Sequence, residues 1–200
     1  MMKKIILLVA LLSSFLLNIH AQSLTETKEW DNLIQSLQDE KWKDANDLST
    51  SLLNKTPKND PDDNIAALLR YMYIYSEAGL LNAHKFTQKE ALKNVIGFTG
   101  KRIILPAHPI ALKNAFNSIQ MVNKKTDSLF ITATNSTATE IFSFEYIILN
   151  SKWSVDDFKN SEGKLFRLTG IIKSISVEGH MLPRFRIIID QGTYQSYDHD

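Results

Sequence analysis

The spacing of apolar residues changes near Gly100 and divides the chain into two regions. Between residues 22 and 99, apolar side chains recur three and four positions apart, which is typical of amphipathic helices. After Gly100, short runs rich in Ile, Phe and Thr alternate with polar residues, which is typical of half-buried strands. We therefore expect an α+β fold, with repeat-like helical hairpins in residues 22–99. A small, curled, antiparallel β module, barrel-like or sandwich-like, is expected in residues 100–200.

Six strands and one short helix are predicted in the second region. The strands are expected at residues 101–106, 116–122, 128–134, 140–149, 164–177 and 184–190. The helix opens at Ser154 and can end at Gly163. In the fifth strand the apolar residues change parity near Lys173 and Ser174, which predicts a bulge or a sharp bend there.

The first helical hairpin has a recognisable order of residues. It opens with Trp30-x-x-Leu33, continues through Lys41-Trp42-Lys43-Asp44-Ala45 and closes at Pro57. This order resembles a tetratricopeptide repeat, in which a bulky residue opens the first helix and a small one lies at the helix crossing. A second, looser hairpin follows, and its last helix begins with a capping box from Thr87 to Glu90. The resemblance implies a helical groove that binds a segment of a partner.

The fifth strand carries a second resemblance. The run Gly163-Lys164-x-x-x-Leu168-Thr169-Gly170-Ile171-Ile172-x-x-Ile175 is similar to the opening strand of an OB-like barrel. Such sheets bind oligonucleotides or anionic glycans on a face that combines basic and aromatic side chains. The candidate ligand-binding residues in this chain are Arg167, Lys173, Arg184, Arg186 and Phe130. The alternative is that outward cations only keep the sheet from aggregating.

Residues 1–21 have the pattern of a secretory signal peptide. A short basic start, Met1-Met2-Lys3-Lys4, precedes an almost wholly apolar run that extends to Leu17. Cleavage is expected near Ala21-Gln22, which predicts an exported bacterial protein, periplasmic or secreted. An uncleaved anchor is the alternative. No transmembrane segment is expected in the mature chain, because its most apolar stretch is interrupted by Arg70 and Glu77.

Composition narrows the possible chemistry. The chain has 23 basic and 22 acidic side chains and a formal net charge of +1, so binding of nucleic acid through bulk positive charge is not expected. It has no cysteine, which excludes thiol nucleophiles and Cys-ligated zinc. No histidine pair has the spacing of a helical zinc site, and we expect neither a metal nor a cofactor.

Three functions remain open from the sequence. The favoured one is a non-enzymatic interaction or accessory protein whose helical groove holds a segment of another envelope protein. The first alternative is an anionic-glycan or polymer-binding module that uses the basic β face. The second is a hydrolase-like enzyme that uses His108, held in the stiff Pro106-Ala107-His108-Pro109 corner, with an acid such as Glu145 between the two modules. Glu145 shares its parity with Ser143 and Ile147 and is expected on the wetter face of its strand.

Overall fold

The helices precede the sheet along the chain, as the periodicity predicts. In a computed structural model, residues 22–57, 64–122 and 127–197 are described, and they form an α+β fold. The predicted leader, residues 1–21, lies outside the described residues, and so does Ala21 of the predicted cleavage site. None of the helices in the described part combines the length and the apolar character needed to cross a bilayer.

Five α-helices lie before the sheet in the described part of the chain. They are α1 (Gln22–Thr25), α2 (Lys28–Gln38), α3 (Trp42–Lys55), α4 (Asn64–Asn82) and α5 (Gln88–Val95). The predicted capping box is confirmed, because the Thr87 hydroxyl accepts from the Glu90 amide and the Glu90 carboxylate accepts from the Thr87 amide. Helix α4 is buried on almost every side, which is typical of a helix at the centre of a fold.

Seven strands of the described residues form one open, mixed sheet. They are β1 (Arg102–Ile104), β2 (His108–Pro109), β3 (Gln120–Met121), β4 (Ser128–Thr134), β5 (Ile141–Leu149), β6 (Leu165–Glu178) and β7 (Arg184–Tyr197), with helix α6 (Val155–Lys159) before β6. The strand order is β1-β6-β7-β5-β4-β3, and β2 also pairs with β6.

The expectation of a purely antiparallel β module is wrong in one respect. Strands β5 and β7 run parallel, whereas the other pairs are antiparallel. The cause is the connection through α6, which places β6 two positions away from β5, so that β7 returns between them in the direction of β5. The sheet is not closed into a barrel, and the expectation of a barrel-like module is corrected accordingly.

Helix α4 contributes to two hydrophobic cores. On one side its Tyr71, Ile74 and Leu81 pack with sheet residues such as Ile131 and Ile189. On the other side its Leu69 packs with residues of α2 and α3, namely Trp30, Leu33, Ala45 and Leu52. The described helices that contact the sheet pack against its core face, so the opposite face of β4, β5 and β7 is left for other contacts.

Bulges determine which side chains point towards the helices. The bulge predicted near Lys173 is confirmed, because the β6–β7 register shifts between Ile172 and Ser174. A second shift, between Ala133 and Thr134, lies opposite Phe142 and was not predicted. Both Phe142 and Ser143 are buried as a result, although they are adjacent in sequence.

Candidate ligand-binding face

Three aromatic rings lie together on the sheet face away from the helices. Phe130 projects from β4, and Phe144 and Tyr146 project from β5, while their neighbours Leu129, Ile131 and Ile147 point into the core. The centre of the Phe130 ring is 5.6 Å from that of Phe144 and 5.1 Å from that of Tyr146. We call these three residues the aromatic patch.

Two arginines of β7 lie on the aromatic patch. The guanidinium carbon of Arg184 is 4.6 Å from the centre of the Phe144 ring, and that of Arg186 is 5.0 Å from the centre of the Tyr146 ring. Arg186 also forms an ion pair with Glu178 at 3.1 Å. In the described part of the chain, the buried Nε of Arg184 has no hydrogen-bond partner. These contacts hold two cations against flat rings, where each attracts the negative face of its ring.

A cleft opens beside the aromatic patch, towards β3. Its volume is about 490 Å³, and the three patch rings form part of its wall. The remaining wall includes Phe116, Gln120, Met121, Thr132 and Ile141. The Phe116 side chain is 55 % exposed, so one rim of the cleft offers an apolar ring to solvent. The cleft thus combines apolar and aromatic surface with a few polar groups, as small-molecule sites usually do.

Asn117 holds the segment that forms the cleft rim. Its backbone adopts φ 53°, its amide donates to the Thr132 carbonyl at 3.2 Å, and its Nδ2 donates to the Thr134 hydroxyl at 2.8 Å. The Asn117 carbonyl is 3.1 Å from Nδ1 of His108, and since a carbonyl only accepts, this nitrogen carries the proton. Burial lowers the pKa of His108 from 6.5 to about 4, so the ring is neutral at pH 7. His108 therefore helps to position the rim.

Thr132 contributes a buried hydroxyl to the cleft. The residue is 4 % exposed and lies on the same face of β4 as Phe130. Its Oγ1 has no hydrogen-bond partner among the residues that the structure describes. A buried hydroxyl is normally hydrogen-bonded, so this atom retains an unused donor and acceptor beside the cleft.

The structure brings three of the five predicted site residues together. Phe130, Arg184 and Arg186 meet through the rings of Phe144 and Tyr146. Two aromatic members of the site, Phe144 and Tyr146, were missed by the sequence analysis. The signal that could have found them is the run of aromatic residues at alternate positions of β5.

The other two predicted site residues lie elsewhere. Lys173 lies at the β6 bulge and pairs with Asp190 at 3.3 Å. Arg167 is near the other end of β6, 5.1 Å from the centre of the Tyr197 ring. It is nine positions along β6 from Ser176, the partner of Arg186, which corresponds to roughly 30 Å of strand.

Glu145 faces the core, and the expectation that it faces the wetter side is wrong. It is 2 % exposed and lies between Ile131 and Ile187 in the register of the sheet. Its Oε1 accepts from the Ser143 hydroxyl at 3.1 Å, whereas its buried Oε2 has no partner in the described part. Burial raises the pKa of the Glu145 carboxyl to about 7. The aromatic residues of β5, and not this carboxyl, face outwards.

His108 and Glu145 do not form the pair that a hydrolase would need. His108 is hydrogen-bonded to the Asn117 carbonyl, whereas Glu145 is hydrogen-bonded to Ser143 and interacts electrostatically with Tyr71 and Tyr75 of α4. The described residues also contain no group of three or more His, Asp or Glu side chains arranged as metal ligands.

The helical hairpin has a shallow groove of a different character. The groove between α2 and α3 has a volume of about 450 Å³. Its lining is mainly polar and includes Asn32, Gln35, Lys41, Asp44 and Asp47. In the described parts of α2 and α3, no large apolar side chain is strongly exposed. The groove therefore lacks the apolar surface that usually marks a protein interface.

The chain matches no protein-family model, and no curated protein or solved structure is significantly similar to it. One surface of the described residues combines several features of a binding site. It contains the aromatic patch, the two arginines that lie on it and the cleft beside it.

Proposed function

We propose that this protein is a non-enzymatic binding protein that holds an anionic glycan on the open face of its sheet. The cleft and the aromatic patch contact the sugar rings, and Arg184 and Arg186 bind carboxylate or sulfate groups. One observation carries the proposal, namely that two guanidinium groups lie 4.6 and 5.0 Å from rings that also line a cleft. Flat apolar surface and fixed positive charge are therefore available to a single ligand.

The chemistry of a sugar acid fits both parts of this surface. A pyranose ring has faces of C–H groups, which pack against aromatic rings, and an edge of hydroxyl groups. Thr132 and Gln120 provide polar atoms in the cleft, where hydroxyl groups can be bound. A planar guanidinium can bind a carboxylate or a sulfate with two parallel hydrogen bonds.

The charge balance favours a glycan over a nucleic acid. The formal net charge of the whole chain is only +1, and one of the two patch arginines, Arg186, is already paired with Glu178. A nucleic acid carries a phosphate on every nucleotide and is normally bound by several unpaired cations. A glycan with an acid on some of its rings requires fewer cations.

The sheet face is a better candidate than the helical groove. The α2–α3 groove is lined mainly by polar side chains, whereas the cleft contains exposed aromatic surface next to two cations. Aromatic residues and arginine are the side chains that contribute most to binding at protein surfaces. The leader-like pattern of residues 1–21 supports an exported location, periplasmic or secreted, where such glycans are encountered.

Calorimetric titration with a small panel of acidic oligosaccharides tests the proposal. The panel consists of tetragalacturonate, a hyaluronan tetrasaccharide and a heparin tetrasaccharide, with fully methyl-esterified tetragalacturonate as the uncharged control. We expect at least one acidic probe to bind with a Kd below about 1 mM. Its affinity should fall at least threefold when NaCl is raised from about 50 mM to about 300 mM.

Two double variants show whether the arginines are responsible. R184Q/R186Q removes both patch cations and should weaken binding about tenfold or more. K152Q/K164Q removes the same charge from two exposed lysines outside the cleft lining and should leave binding within about twofold. Absence of binding by the whole panel, or equal losses in the two double variants, would contradict the proposal.

A further inference from the structure

The hydroxyl of Thr132 is exceptional among the buried Ser and Thr hydroxyls beside the cleft. The Thr134 hydroxyl accepts from Asn117 Nδ2 and donates to the Asn135 carbonyl, and the Ser118 hydroxyl donates to the Ala115 carbonyl. Thr132 is also buried, at 4 % exposure, but its Oγ1 has no partner in the described part of the protein. A valine would fill the same space without leaving a polar atom unpaired, so a threonine here costs stability in the free protein.

The register of the sheet places Thr132 in line with the aromatic patch and its cations. Thr132 is opposite Phe144 across β4 and β5, and Phe144 is opposite Arg186 across β5 and β7. All three residues lie on the open face, and adjacent strands are separated by about 4.8 Å, so the backbones of Thr132 and Arg186 are about 10 Å apart along this row. The Arg184 guanidinium lies on the Phe144 ring within the row, and that of Arg186 lies beside it on the Tyr146 ring. This distance is comparable with the length of a disaccharide, with the Phe144 ring between its two ends.

We infer that this row is a subsite for a disaccharide unit made of one neutral and one acidic sugar. The Thr132 hydroxyl binds a hydroxyl or acetamido group of the neutral sugar, and Arg186, supported by Arg184, binds the acid of its neighbour. The inference rests on the proposed function and adds which disaccharide repeat of an acidic glycan the surface selects. A polymer with an acid on every ring would place a charged group beside the buried Thr132 hydroxyl, with no cation of the row to balance it.

The two oligosaccharides of the panel whose only acidic groups are carboxylates separate these repeats. The hyaluronan tetrasaccharide alternates acetamido and carboxylate sugars, whereas tetragalacturonate has a carboxylate on each ring. We expect the hyaluronan tetrasaccharide to bind at least about fivefold more tightly than tetragalacturonate. Equal affinity for the two, or tighter binding of tetragalacturonate, would overturn the inference.

Two substitutions at Thr132 test the role of its hydroxyl. T132V keeps the shape of the side chain and removes the oxygen, so it should weaken binding of the hyaluronan tetrasaccharide about tenfold. It should also raise the Tm of the free protein by about 3 °C, because a buried unpaired hydroxyl is removed. T132S keeps the oxygen and should retain the affinity within about threefold. A residue that only supports the fold would not combine lower affinity with higher Tm.

The outcomes distinguish this inference from the proposed function. If R184Q/R186Q abolishes binding but T132V leaves it unchanged, the subsite is wrong and the glycan-binding proposal stands. If the native protein binds none of the acidic probes, both are wrong. If T132S loses as much affinity as T132V, keeping the oxygen is not sufficient for binding, and the inference is also overturned.

Discussion

The guanidinium carbon of Arg184 lies 4.6 Å from the centre of the Phe144 ring, across the parallel strands β7 and β5. This contact exists because β7 returns between β6 and β5 and brings its outward residues beside those of β5. A hairpin that simply followed β5 along the sheet would not have produced the same neighbours. The parallel pairing thus creates the site that we propose.

Phe144 and Phe142 are two positions apart on β5 and have opposite surroundings. Phe144 lies on the open face, whereas Phe142 is 2 % exposed and packs 5.1 Å from the Trp42 ring. F144L should therefore weaken glycan binding at least about fivefold while changing the free energy of unfolding by less than about 1 kcal/mol. F142L should lower the free energy of unfolding by about 2 kcal/mol and leave the affinity of the folded protein unchanged. Urea unfolding and calorimetry on both variants would reveal a reversed pattern if the two faces were misassigned.

Trp42 of α3 rests directly on Gly79 of α4. A Cβ built on Gly79 would lie 2.7 Å from Cγ of Trp42, which is closer than real Cβ contacts allow. G79A should therefore destabilise the protein by about 2 kcal/mol, even though alanine is the better helix former. Gly97 is the matched control, because a Cβ there meets nothing within 4 Å. The free energy of unfolding of G97A, measured by thermal unfolding, should stay within about 0.5 kcal/mol of the native value. An equal loss of stability in G79A and G97A would contradict close packing at Trp42.

The Glu145 carboxyl should make the protein less stable as pH rises. Its pKa in the folded protein is about 7 against an ordinary 4.5, so the folded state retains a proton that the unfolded chain has already lost. The stabilisation is complete below about pH 4.5 and is lost as pH rises through 7. E145Q cannot ionise, so it should be more stable than the native protein by about 2 kcal/mol at about pH 8. The free energy of unfolding is measured with urea at several pH values. The prediction is contradicted if it falls between pH 4.5 and 7 as steeply in E145Q as in the native protein.

His108 should have the opposite pH dependence. Its folded pKa of about 4 lies below the ordinary 6.5, so the unfolded chain takes up a proton first. Stability from this group is complete above pH 6.5 and is lost as pH falls towards 4. The effect is best measured in E145Q, in which the opposing carboxyl no longer titrates. Adding H108N should flatten the loss of stability below pH 6.5, and an unchanged loss would show that His108 is not the group responsible.

The periodicity of apolar residues was sufficient to predict the buried side of a strand where the other side is polar. In the predicted strand at residues 184–190, the odd-numbered positions Phe185, Ile187 and Ile189 are apolar, and all three are buried in β7. In β6 the change of parity identified the bulge at Lys173, because an apolar residue must stay on the core side after an extra residue is inserted. The α+β order along the chain followed from the same kind of pattern.

The periodicity of apolar residues did not show which side of β5 is buried. This strand provides two of the three rings of the aromatic patch. Both of its faces carry apolar residues, so hydrophobicity alone cannot show which face the helices cover. The choice depends on α4, more than fifty residues earlier in the chain, and on the unpredicted bulge at Phe142. For this reason Glu145 was expected outside, and Phe144 and Tyr146 were not recognised as site residues. The β5–β7 pairing is likewise a long-range contact that no local pattern records.

The most direct test is to locate a bound glycan by NMR on the isotope-labelled protein. During titration with the hyaluronan tetrasaccharide, we expect the largest shift changes at Phe130, Thr132 and Phe144 and at the Nε of Arg184 and Arg186. The polar α2–α3 groove, reported by Asn32 and Gln35, should remain unchanged. Changes concentrated in that groove, or the absence of changes on the open face of β4, β5 and β7, would contradict the account.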